Sequence, residues 1–101
     1  WSNLVKLECQ YNNITNLVNL PKAQTINCSF NDINEINGFP ELTHIYCMNN
    51  KIKYIKNLPK AEHIDCTDNF ITNIINFPKL NILHCSKNNI DEITNVREEE
   101  V

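Results

Sequence analysis

The sequence predicts a solenoid of five stacked coils, each giving one short strand to a parallel sheet, with an extended or 3₁₀ back and little helix. Three observations carry this reading. Cysteines fall at Cys9, Cys28, Cys47, Cys66 and Cys85, a constant step of 19 residues. The same step joins Asn12, Asn31, Asn50, Asn69 and Asn88, and also Ile14, Ile33, Ile52, Ile71 and Ile90. Prolines at Pro21, Pro40, Pro59 and Pro78 keep the interval until Arg97 breaks it. Registered columns of this kind arise when each unit returns to the same azimuth of a stack and buries its apolar face against its neighbours.

Each element of the unit follows in order. The coils run over residues 4–22, 23–41, 42–60, 61–79 and 80–98 as one array, read as a piece of a longer chain. The strand covers Lys6, Leu7, Glu8 and Cys9 and their equivalents. Side chains alternate along a strand, so Leu7 and Cys9 point inward while Lys6, Glu8 and Gln10 point outward. The Asn column marks the turn that follows, where a side-chain amide can satisfy backbone groups that would otherwise be buried unpaired. About ten residues then remain before the next strand, with Ile14, Leu17 and Leu20 at spacing three and then Pro21. A full helix with two turns does not fit there, and Pro fixes φ and donates no hydrogen bond. An extended, polyproline-like or 3₁₀ back is nearly as narrow as the front, so the solenoid should curve little.

Written as one unit, the repeat is L/A-x-x-L/I-x-C-x-x-N-x-I-x-x-L/I-x-x-L/F-P-x. This resembles the leucine-rich-repeat signature over essentially the whole chain, with Cys in place of the central Leu and a unit just under the usual length. The short unit with Pro near its turn is similar to the LPX-type repeats of bacterial effectors. Its richness in Cys, Asn and Ile is similar to leucine-rich-repeat proteins of giant DNA viruses. The resemblance implies a protein-binding module. It also implies an alternative, the substrate-recognition arm of a larger enzyme such as an effector ubiquitin ligase.

A weaker two-coil period overlies the first. Coils beginning with Ala23 or Ala61 end with Phe39 or Phe77, whereas those beginning with Leu end with Leu or Val. Volume balance explains the alternation, because a close-packed interior tolerates neither void nor overlap.

Composition narrows the function classes. The single glycine, Gly38, excludes a Gly-rich phosphate loop. A formal charge of −3 argues against nucleic acid as a partner, and no apolar run is long enough to span a bilayer. Five cysteines cannot all pair within one chain. Stacked equivalents also have parallel Cβ vectors, which a disulfide does not accept. Five reduced, buried thiols are expected, and they fit a cytoplasmic or other intracellular compartment. A buried apolar thiol is inert, so a catalytic cysteine is not expected, and neither is any cofactor.

Function then falls to the outward positions that do not repeat. Four columns face out on the strand side, and two groups within them stand out. Tyr11 and Phe30 are neighbours, with Tyr46 and Met48 further along; aromatic residues and Met are enriched in interface cores. His44, His63, Asp65 and His84 form the second group, on adjacent strands. These eight residues are the expected protein-binding set. Imidazoles with a carboxylate are also a zinc ligand set, which makes His44, His63, Asp65 and His84 the alternative metal site. His44-x-x-Cys47 and His63-x-x-Cys66 are rejected as ligand pairs, because residues i and i+3 of a strand face opposite sides. Lys51, Lys53, Lys56 and Lys60 read as a solvated basic face. At the ends, Trp1 falls on the column of Leu20 and Phe39, and residues from Val96 to Val101 leave the pattern and could open a capping helix. Uncapped coil edges would allow end-to-end self-association.

Overall fold

Each coil is made of two short extended segments joined by sharp corners, and the corners explain the columns. The computed structural model describes residues 2–96. Its strands are β1 (Lys6–Glu8), β2 (Thr25–Asn27), β3 (Glu35–Asn37), β4 (His44–Tyr46), β5 (Tyr54–Lys56), β6 (His63–Asp65), β7 (Asn73–Phe77), β8 (Ile82–His84) and β9 (Glu92–Val96). The front sheet is β1-β2-β4-β6-β8, all parallel. Its register places Leu7, Ile26, Ile45, Ile64 and Leu83 in one line, so the 19-residue step is the ladder step itself. The back is extended as expected and contains no helix or 3₁₀ turn among the described residues. It is also hydrogen-bonded, which the sequence did not suggest: β3 pairs β5 and β7 pairs β9, both parallel. Rungs paired on both sides have similar spacing, so these coils stack with little wedge between front and back.

The first corner follows the front strand. Tyr11, Phe30, Asn49, Asp68 and Lys87 all have left-handed backbone, with φ between 54° and 62°. Beside it the Asn column closes the turn. Asn50 Nδ2 donates to Cys47 O and Met48 O in its own coil and to Cys28 O in the coil before. Its Oδ1 accepts the Ile33 N–H at 3.0 Å. Asn31, Asn69 and Asn88 repeat the pattern with their own neighbours. The residue must be an amide, since the site needs both donors and an acceptor on one side chain.

The second corner was not among the sequence expectations. Asn19, Gly38, Asn57, Asn76 and Asn95 share a left-handed conformation at the end of the back segment. Asn and Gly are the residues that adopt it at least cost. The turn after it explains the Pro column. Leu20 O accepts from Ala23 N–H, and Phe39 O, Leu58 O and Phe77 O accept from Leu42, Ala61 and Leu80 N–H in turn. Each Pro therefore sits at the second position of a four-residue β-turn, where its fixed φ is already correct.

Between the two walls lies a continuous apolar core. The front supplies the strand isoleucines and Cys28, Cys47 and Cys66; the back supplies Ile33, Ile52, Ile71 and their partners, all fully buried. Ala23 with Phe39 and Ala61 with Phe77 are buried too, in keeping with the volume balance of the two-coil period. All five thiols are free; Cys28, Cys47 and Cys66 are buried, while Cys9 and Cys85 in the outer coils are partly covered. Trp1 and the capping segment from Arg97 onward lie outside the described residues; Val96 itself ends β9. No described helix is long and apolar enough to cross a membrane.

Candidate functional site

The outer face of the front sheet carries the side chains that the fold does not use. Tyr11 and Phe30 leave adjacent left-handed corners and stack face to face, with ring centroids 4.6 Å apart and planes 8° apart. Tyr11 is 72% exposed. A left-handed conformation costs an ordinary side chain roughly 1–2 kcal/mol. The stack returns about 0.5–1.5 kcal/mol. Fold stability alone therefore gives little reason for aromatic residues here, and the later coils place Asn49, Asp68 and Lys87 at the same corner.

From this pair a shallow groove runs past Ser29 to Tyr46 and Met48. Ser29 lines this groove and is itself buried by its neighbours. Gln10 lines the same groove, and its Oε1 is buried without a hydrogen-bond partner. Sequence reasoning gave Gln10 no role; its position beside the aromatic corner was the available signal.

Tyr46 links the two expected groups. Its ring lies 5.0 Å from that of His63, and His63 lies 5.7 Å from His44 and 5.8 Å from His84, centroid to centroid. The register sets His44 beside His63 and Asp65 beside His84. His63 is thus the hub of a row crossing three strands. Burial lowers its pKa from the ordinary imidazole value, the neighbouring His44 and His84 lower it further, and Asp65 opposes them. Asp65 is engaged with Thr67, accepting its N–H at 3.3 Å and its hydroxyl at 2.8 Å.

The alternative metal site does not form in this geometry. Among the described residues no three of His, Cys, Asp or Glu are placed to hold an ion. The imidazoles lie side by side along the sheet and do not converge, and Asp65 is held by Thr67. The three inner thiols, Cys28, Cys47 and Cys66, are likewise closed to chemistry. Burial pushes Cys28 and Cys66 up to about 12 and Cys47 well above the ordinary thiol value, so the nucleophilic thiolate is suppressed.

Three lysines of the basic group, Lys51, Lys56 and Lys60, have side-chain partners. Lys51 meets Asp32 at 3.6 Å and Lys60 meets Glu41 at 2.9 Å. Lys56 lies 4.8 Å above the Tyr54 ring, and the Tyr54 hydroxyl donates to Glu35. These contacts make it a solvated, internally compensated face. The eight expected residues thus make one continuous surface, joined at Tyr46. No family model matches the chain, and neither a curated protein nor a solved structure matches it.

Proposed function

We propose that this chain is a leucine-rich-repeat module that binds a protein partner through the outer face of its front sheet. The observation that carries the reading is the pair Tyr11 and Phe30, two large aromatic residues in left-handed corners where the other coils use Asn, Asp or Lys. Residues held in costly conformations that their stacking only partly offsets point to recognition. Aromatic anchors beside Met48 and a histidine row provide the apolar centre and polar flank of an ordinary protein interface. Repeat solenoids present such preformed surfaces as a matter of construction. The free, stacked thiols support a reducing, intracellular setting.

The test uses replacements that the corners accept. Tyr11→Asn and Phe30→Asn suit left-handed backbone, and Tyr46→Thr with His63→Thr keeps strand-forming residues. Displayed protein fragments are selected on the wild-type chain and their affinity measured by calorimetry against wild type and the fourfold variant. A loss of 100-fold or more, about 2.7 kcal/mol, with an unchanged melting transition is the expected result. Binders that hold the variant equally well would move the site to the back or the turns.

A further inference from the structure

The groove beside Tyr46 continues along the stack as a trough, and its chemistry changes within one coil. Its floor is the column of Ser29, Met48 and Thr67, held in step by the bonds from Phe30 N–H to Met48 O and from Asn49 N–H to Thr67 O. In the second and third coils the trough is apolar and aromatic, lined by Phe30, Tyr46 and Met48. In the fourth coil both of its walls are carboxylates: Asp65 at the end of β6, and Asp68 at the left-handed corner. Asp68 is exposed and Asp65 half-buried. Thr67 between them orients Asp65, because its N–H and its hydroxyl both donate to Oδ1 and leave Oδ2 without a described partner. Neither carboxylate belongs to an ion pair among the described residues, where the pairs join Lys6 to Glu8, Lys51 to Asp32 and Lys60 to Glu41. Lys87 at the next corner and His84 beside Asp65 on β8 are the nearest cationic residue types along the stack, and neither closes on them. Like charges on one coil repel, and a cation set between them turns that repulsion into attraction.

We propose that this trough takes an extended segment of the partner that places an apolar residue in the groove and an arginine, two positions away, between Asp65 and Asp68. The inference rests on the strand-face reading above and names the chemistry of its partner. Spacing sets the two positions. The groove between the second and third coils is one and a half coil steps from the fourth coil, about 7 Å at the usual strand separation. An extended chain advances about 7 Å over two residues, and residues i and i+2 point to the same side. Arginine fits because its planar guanidinium carries five N–H donors on a rigid fork and can serve two carboxylates at once. An ammonium is a compact point charge and serves them less well. The apolar residue meets the Phe30 and Tyr46 rings and the Met48 thioether, which adapts to irregular shapes. Every residue used belongs to the second, third and fourth coils.

Random peptides displayed on phage and selected on the wild-type chain at neutral pH and low salt provide the probe. The enriched peptides are expected to share an apolar residue and an arginine two positions apart. Replacing that arginine by citrulline, which keeps the shape and removes the charge, should weaken the affinity measured by calorimetry about 20-fold or more. Asp65→Asn combined with Asp68→Asn should weaken the arginine peptide as much and leave the citrulline peptide nearly unchanged, so that the double variant no longer tells the two apart. Asn at 65 keeps an acceptor for Thr67 and Asn at 68 suits the left-handed corner, as Asn49 does, and circular dichroism checks the fold. The arginine and citrulline comparison on the wild-type chain needs no variant. Peptides that the fourfold strand-face variant no longer binds, yet that carry no arginine or lose nothing with citrulline, overturn this inference and leave the strand-face reading standing. Peptides that hold the fourfold variant as tightly as wild type overturn both.

Discussion

Replacing Asn50 by Ala tests whether the side-chain amide, more than the apolar core, holds the first corner. Asn50 is 7% exposed and links three backbone carbonyls to one backbone N–H. The carbonyls have second partners: Cys28 O keeps Asn31, Cys47 O keeps Asn69, and Met48 O keeps the Phe30 N–H. Only the Ile33 N–H loses its sole acceptor, and it lies in the buried interior. An orphaned buried donor costs about 1–3 kcal/mol, and weakening three shared bonds adds about 1 kcal/mol. The expected loss is about 3 kcal/mol, or about 12–24 °C in melting temperature for a domain of this size. Asn50→Asp should cost more, because its carboxylate would turn a second oxygen toward the same carbonyls. Asn12→Ala, at an exposed position with two bonds inside its own coil, should cost about 0.5 kcal/mol or less. Urea denaturation followed by circular dichroism measures all three, and amide exchange at Ile33 reports the orphaned donor directly. Equal losses for Asn50→Ala and Asn12→Ala would refute the reasoning.

Three further outcomes follow from the structure. Native protein at pH 8 should react with iodoacetamide at Cys9 and Cys85 only, with all five thiols reacting in urea; the buried thiols, raised to about 12 at Cys28 and Cys66, should also make stability fall as pH rises from about 9 toward 12, because only the unfolded chain ionises there. Mass spectrometry and denaturation against pH check these. An NMR titration should find His63 below the ordinary imidazole range, and Asp65→Asn should lower it further by removing the one opposing charge; since the folded pKa is depressed, the stability His63 contributes is complete above pH 6.5 and declines as pH falls below it. Gly38, at φ 83° with nothing within 4 Å of a Cβ built there, should accept Asn with little change, whereas Val should lose about 1–2 kcal/mol through its conformation alone, read by thermal denaturation.

The amino-acid sequence by itself determined the stack. Its 19-residue columns name the inward residues Ile45 and Cys47, the turn amide Asn50 and the turn residue Pro59, because a translational repeat turns chemical identity into spatial alignment. The same columns showed which positions vary, and so where recognition could sit. Several features needed the folded chain. The back strands were hidden, since β3 and β5 carry no long alternating run and become strands only when the coil above offers a ladder. The left-handed corners were hidden at Tyr11 and Phe30, whose residue types argue against that conformation. Non-convergence of the histidines and the link through Tyr46 were also decided in three dimensions, because ring orientation depends on neighbours from three strands at once. Period fixes azimuth around the coil; it does not fix how side chains on that azimuth pack against one another.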